Sequence, residues 1–351
     1  MRRTAPLIVG AGPAGCAAAI TLAHDGVQPL VLERTRADAD ALCGGFLSWR
    51  TLAQLDALGV EVAGAPVTRL RVIAGGRVTE AELGTPALGL SRRALDAALR
   101  RRAETIGVGI ERGAVVRAIE ERHVRLADGR VMAPEALFLA TGKHDIRGAA
   151  RPLAHGDAAI GLRLRRATTS ALEGVIELHL FRQGYAGVVL QEDGAANICM
   201  AVRKSRLDAA GGDPMKLLHE VAAEAPRLGE RIGQIDGMVQ AVANVPYGWR
   251  ARRGERGMYR LGDQAGVIPS LAGEGISIAL ASGMHAARAW LDGSDGAAFQ
   301  PGFARRLRRP IGGASALWHV AERPGAAALM TRILAAAPWA ARAMMAATRI
   351  G

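Results

Sequence analysis

The chain has 351 residues, half of them apolar, which is enough for one large or two moderate globular domains with a real core and excludes a disordered polypeptide. Lysine plus arginine outnumber aspartate plus glutamate, 45 to 33, for a net charge of +12. That excess suits an anionic cofactor or an anionic membrane surface, or it reflects an Ala-, Gly- and Arg-rich composition; scattered basic residues with few aromatics between them argue against nucleic acid.

Taken in order, the chain starts with an apolar run, Leu7-Ile8-Val9, then Gly10-Ala11-Gly12-Pro13-Ala14-Gly15, then an Ala-rich helical stretch from Cys16 to Ala23. A second apolar run, Pro29 to Leu32, ends on Glu33, eighteen residues beyond Gly15. Strand, tight turn, helix, strand and terminal acid in this order form a βαβ dinucleotide unit. The helix start offers unpaired N–H groups and a positive dipole end to a pyrophosphate, Gly12 keeps side chains out of its way, and the acid reaches a ribose hydroxyl.

Beyond the polar connection from Arg34 to Asp40 lies Cys43-Gly44-Gly45-Phe46, on residue chemistry alone either a plain loop or backbone pressed against something flat. Ser48 caps a helix carrying Leu52, Leu55 and Leu58, and Val67 to Leu83 reads as a hairpin about Gly75-Gly76. Ser91 opens an amphipathic helix with Leu95, Ala98 and Leu99 on one face. Further strands follow up to Leu137-Phe138-Leu139-Ala140, closed by Thr141-Gly142. From Ile160 to Val202 the alternation is that of a second sheet, and Pro214 to Ile232 is helical with a break at Pro226.

A second glycine-bearing unit then appears: Met258 to Leu261, Gly262-Asp263, Pro269 and Gly273-Glu274-Gly275, leading into a small-residue helix from Ile276 to Leu291. The fold class is therefore α/β, with a discontinuous Rossmann-like dinucleotide domain (1–150 and 252–295), an inserted β-rich substrate domain (151–251) and a C-terminal helical segment (296–351). That last segment, Ala-rich and edged by Arg305, Arg306, Arg308 and Arg309, either packs on the core or lies on a membrane surface. Three cysteines, Cys16, Cys43 and Cys199, are too few and dispersed for a disulfide framework or a zinc site, and imply a reducing cytoplasm. Met1 to Thr4 runs straight into the first strand, which leaves no room for a signal peptide, and no apolar stretch has the length to cross a bilayer.

In order and spacing, Gly10 to Gly15, Cys43 to Ser48, and Gly262-Asp263 with Pro269 and Gly273-Glu274-Gly275-Ile276 resemble the flavoproteins that include p-hydroxybenzoate-hydroxylase-type monooxygenases and, more closely, geranylgeranyl-reductase-type oxidoreductases. The resemblance covers about residues 5–295 and implies FAD rather than NAD. By it, Gly10, Gly12 and Gly15 face the pyrophosphate, Glu33 the adenosine ribose with Arg34 beside it, and Arg92 the cofactor. Gly262 and Asp263 then hold the ribityl or pyrophosphate region, and Gly273, Gly275 and Ile276 approach the flavin. Two departures from the monooxygenase pattern stand out. The strand ending Thr141-Gly142-Lys143-His144-Asp145 lacks the usual Asp-Gly pair, and no second Gly-x-Gly-x-x-Gly turn is present, so NAD(P)H, if it is the electron donor, binds transiently.

The resemblance implies hydride transfer to a C=C bond of a hydrophobic small molecule, with Cys43 or Tyr185 as the acid. The alternatives are monooxygenation of an aromatic or polyketide-type substrate, or a catalytically silent flavoprotein. Cys43 and Tyr185 each have a purely packing interpretation as well. The expected setting is cytoplasmic, with peripheral membrane contact through the C-terminal helices, no metal and no nucleic acid.

Overall fold

β1 (Leu7–Val9) is apolar and buried throughout, as a strand covered on both faces must be. α1 (Pro13–His24) follows at once, with Pro13 in the first turn, where a missing N–H costs nothing. β2 (Leu30–Glu33) pairs in parallel with β1 and completes the βαβ unit. The computed structural model describes residues 4–152, 156–167, 170–234, 239–337 and 339–350; Met1 to Arg3, read above for a signal peptide, lie outside them.

β3 (Phe46–Leu47) leads into α2 (Trp49–Ala57), whose N-cap Ser48 accepts from the Thr51 N–H. β4 (Ala65–Ala74) and β5 (Arg77–Gly89) make the hairpin about Gly75-Gly76, longer at both ends than the alternation predicts. Ser91 caps α3 (Arg92–Thr105), and β6 (Gly109–Arg112) follows. β7 (Val116–Glu120), β8 (His123–Leu126) and β9 (Val131–Met132) form a small meander before β10 (Leu137–Leu139).

The second half opens with β11 (Ala159–Arg166), β12 (Gly174–Phe181), β13 (Gly184–Leu190) and β14 (Ala196–Arg203). α4 (Lys204–Ala209), α5 (Pro214–Glu224) and α6 (Pro226–Ile232) follow, the last two separated at Pro226 as its missing N–H requires. After β15 (Gln240–Val245) and β16 (Met258–Arg260) the chain is helical: α7 (Gly275–Leu291), α8 (Gly296–Arg306), α9 (Arg308–Ala321), α10 (Pro324–Ala336) and α11 (Trp339–Ala347).

Two sheets carry the architecture. Five parallel strands run in the order β16-β10-β1-β2-β6, so the edge strand β16 comes from sequence that follows the β-rich region, and the dinucleotide fold is discontinuous. The second sheet has eight strands, β15-β11-β14-β13-β12-β4-β5-β3, and takes β3 to β5 from the N-terminal part. Its pairs are antiparallel except β12 with β4. One face of it packs on α5 and α6 through Leu217, Val221 and Leu228. The other face, through Leu180, Tyr185 and Ala201, packs with Trp318, Ala327 and Leu334 of α9 and α10.

Candidate functional site

The carboxyl ends of β1, β2, β10 and β16 open into a cavity of about 740 Å³ that continues between the two sheets. A crevice outside the strand ends is where a doubly wound sheet binds its ligand, and the volume is in the range of a cofactor site.

The first turn sets the geometry. A Cβ on Gly15 would lie 1.9 Å from the Gly10 carbonyl oxygen, so α1 starts hard against the turn that feeds it. Gly15 is therefore buried beneath the turn and off the cavity wall, unlike Gly10 and Gly12, which line it. A Cβ on Gly12 would meet only Arg92 Nη2, at 3.4 Å, so this stretch of wall is bare backbone at the amide end of a helix. Arg92 is held there by a bidentate pair with Asp96, 2.8 and 2.7 Å, whose charge keeps the guanidinium protonated despite its burial.

At the β2 end, Glu33 accepts from the Ala11 N–H at 2.8 Å and from the Thr35 N–H and hydroxyl at 2.9 and 2.8 Å. Glu33 and Arg34 both line the cavity, and Arg34 Nη2 lies 2.5 Å from His144 Nε2. Burial first, then the Arg34, Lys143 and Arg151 charges, hold the His144 ring below its ordinary pKa. Gln264 Nε2 donates to Gly142 O, His144 O and the Asp145 carboxylate at 3.0–3.1 Å, and Arg151 bridges Asp145 to Asp263 O. The trio Lys143-His144-Asp145 follows β10 at the surface, with His144 and Asp145 exposed, and stands at the cavity rim. Gly262 and Asp263 line the cavity from this turn, and among the described residues the Asp263 carboxylate has no direct hydrogen bond or ion pair, its charge acting on Arg92 from a distance.

The loop at Gly273 to Ile276 forms another wall, with Gly273, Gly275 and Ile276 lining the cavity. Glu274 between them is fully buried and pairs with Arg349, whose guanidinium also stacks 4.2 Å from the Trp49 ring centroid. The tail of the chain is thereby fixed beside this loop. Facing it, Cys43 and Gly44 are held by Asn197 Nδ2, which donates to their carbonyls at 3.0 and 2.8 Å. Arg163 donates to Asn197 Oδ1 at 2.6 Å and pairs with Asp40, so two buried polar residues of the eight-stranded sheet fix the Cys43 loop.

Past Cys43 the cavity becomes apolar, walled by Leu70, Val72, Leu178 and Leu180 from the sheet and by Met330 and Leu334 from α10. A chain of hydroxyls interrupts it: the Ser270 hydroxyl bonds Tyr247 OH at 2.6 Å and also Tyr185 OH. Burial raises both phenols, Tyr247 to about 12, so each stays protonated and able to donate. Tyr185 is the residue expected from sequence; Tyr247 and Ser270 were not singled out there, because no motif spacing links residues so far apart. Cys43, half-buried, lines the same cavity.

The bare wall at Gly12, the helix amide end, the Asp263 carboxylate and the apolar chamber beyond suit a long molecule with a charged middle and a flat apolar end, as FAD is. The fold and site define a dinucleotide-binding flavoprotein. Residues 3–143 match the FAD binding domain family. That part of the chain is an FAD-binding domain, FAD is the cofactor, and the architecture is that of FAD-dependent oxidoreductases.

Among curated proteins, the chain is 36% identical over 121 residues to a chloroplastic geranylgeranyl diphosphate reductase of Oryza sativa subsp. japonica, a match covering 33% of this chain and 26% of that protein. It is 32% identical over 150 residues to a menaquinone reductase of Mycobacterium tuberculosis, covering 39% and 37%. The matches thus span about a quarter and about a third of those relatives. Among solved structures, Pseudomonas aeruginosa PqsL, a probable FAD-dependent monooxygenase, superposes with a TM-score of 0.70 at 16% identity, covering 93% of this chain and 99% of that one. The flavin-dependent brominase Bmp2 gives 0.75 at 14%, covering 100% and 95%. At such identities these two establish the fold.

Proposed function

We propose that the protein reduces a carbon–carbon double bond of a lipophilic small molecule. The observation that supports this most directly is an apolar chamber whose polar interruption is a chain of protonated hydroxyls, Tyr185, Ser270 and Tyr247, beside the Gly273–Ile276 loop. Saturating a double bond takes a hydride on one carbon and a proton on the other. FAD held in this site supplies, once reduced, the hydride equivalent. The chain itself supplies the rest: apolar walls exclude water, and the Tyr185–Ser270–Tyr247 chain or the Cys43 thiol holds the proton. Gly10, Gly12, Glu33, Arg34, Arg92, Asp263 and the Gly273–Ile276 loop, which line the cavity, are the proposed cofactor contacts, with Gly15 supporting the turn from below. NAD(P)H, binding transiently, is the proposed electron source. The names of the geranylgeranyl diphosphate and menaquinone reductases, matched over part of their length, lend support.

The second reading is monooxygenation, which the fold shared with PqsL favours. Turnover of a polyprenyl substrate with oxygen excluded, followed by mass spectrometry, separates the two. Gain of two hydrogens under argon supports reduction, and an oxygen-dependent gain of sixteen mass units, about one oxygen atom added, replaces it with the second reading.

A further inference from the structure

The chamber does not end at α10. A second, shallower groove of about 470 Å³ lies between α9, α10 and α11, and Leu317, Met330, Leu334, Met344 and Thr348 line both spaces. The same side chains thus form the floor of one and the outer wall of the other. On the groove's outer lip stand Leu329 and Ile333, 56% and 51% exposed, and Val320 at 36%. Leu329 and Ile333 are four residues apart and share one helix face. Trp339, at the start of α11, is 66% exposed. Large apolar residues clustered in this way mark an interaction surface.

The charge around this face says what covers it. Residues 296–351 contain eight arginines against a single acid, Glu322, and that acid is already paired with Arg203. Arg332, next to Ile333 in the helix, and Arg323, at the N-cap of α10, are both exposed. Exposed apolar side chains and the exposed Arg332, on helices of thirteen and nine residues that carry no acid, match a surface that rests in the headgroup layer of an anionic bilayer. No helix among the described residues is long and apolar enough to cross one.

We infer that α10 and the start of α11 dock on an anionic phospholipid surface, and that the groove between α9, α10 and α11 is the portal through which a membrane-borne substrate reaches the flavin chamber. This deepens the reading above, since a lipophilic substrate gives such a portal its use. Met330 and Met344 in the shared wall are unbranched and adaptable, as a passage for a flexible chain requires.

The test is flotation of the FAD-loaded full chain with vesicles of phosphatidylcholine alone or mixed with phosphatidylglycerol, alongside a Leu329→Glu/Ile333→Glu variant. Both side chains are more than half exposed, so the variant's flavin absorbance and melting curve check that it is folded. The expected result is that wild type floats with the anionic vesicles, with roughly tenfold or greater loss of affinity for phosphatidylcholine alone and a loss of at least about tenfold in the variant. Wild type left in the soluble fraction, or a variant that floats as well as wild type, overturns the inference. So does a dimer by light scattering that the variant splits while neither form floats, which assigns the face to a second copy. Vesicle binding is read without substrate. An oxygen-dependent product would therefore remove the reductase reading and leave the docking surface standing, and failed flotation beside anaerobic reduction would do the reverse.

Discussion

A Cβ placed on Gly283 would fall 2.2 Å from the carbonyl oxygen of Ala14, so α7 and α1 meet backbone against backbone. This contact joins the two glycine-bearing segments of the sequence into one site. From the same helix, Ser282 Oγ accepts from the Gly262 N–H at 2.7 Å and holds the Asp263 turn. Gly283→Val forces the helices apart with no side chain able to yield, and should cost about 3 kcal/mol or more in stability. Urea unfolding measures the loss, and the surviving folded fraction should retain little FAD by absorbance.

The two glycines of the first turn should separate folding from cofactor binding. Gly15→Val collides with the Gly10 backbone and should destabilise the protein with or without FAD. Gly12→Val meets only the end of a flexible arginine, so it should leave the thermal unfolding of the FAD-free protein nearly unchanged while abolishing flavin retention. A Gly12→Val protein that purifies yellow with wild-type FAD content would refute the placement of the pyrophosphate there.

For the hydroxyl chain, Tyr185→Phe and Tyr247→Phe should each keep FAD content and lower turnover, by roughly 10²- to 10⁴-fold for whichever acts as the acid. Ser270→Ala should lower it too, because it removes the hydroxyl that both phenols bond. With Tyr247 raised to about 12 by burial, ionisation of this chain should not limit turnover below about pH 10. Cys43→Ser should likewise alter turnover at unchanged FAD content. Equal rates in that variant and wild type would leave the thiol a packing role.

What the sequence discloses and what it hides divide along a physical line. Gly10 to Gly15, Gly262 and Gly273 to Ile276 are legible because local backbone shape is what a short motif encodes, and Glu33 and Asp263 because they sit at fixed offsets from those glycines. Arg163 and Asn197 are not, since each is a buried polar residue of a largely apolar strand whose partner, Asp40 or Cys43, comes from more than a hundred residues away. Their one signal is charge or amide where alternation calls for an apolar side chain. Glu274 reads as part of the flavin loop, but only the fold reveals that Arg349, at the far end of the chain, is its partner.

His179, whose facing is undetermined from sequence alone, lies buried with Glu177 on the far side of the sheet from the chamber. Glu177 accepts from His179 Nε2 at 3.0 Å, from Arg231 Nε and Nη2 at 3.0 Å each, and from Arg71 Nη1 at 2.7 Å, while Glu80 shares Arg71. Burial alone would raise this carboxyl, but the three cationic or N–H donors outweigh it and hold Glu177 well below the usual carboxylate range. Because the folded pKa is depressed, the stabilisation is fully present above the unfolded value of about 4.3 and is lost as pH falls from there toward the folded one. Glu177→Gln leaves two guanidinium groups facing a neutral amide and should cost about 3–5 kcal/mol at pH 7. Urea midpoints for wild type and variant, measured from pH 7 down to pH 3, should converge as wild type loses its advantage. A gap that stays constant across that range would mean that the carboxylate's charge contributes nothing to holding α6 against the sheet.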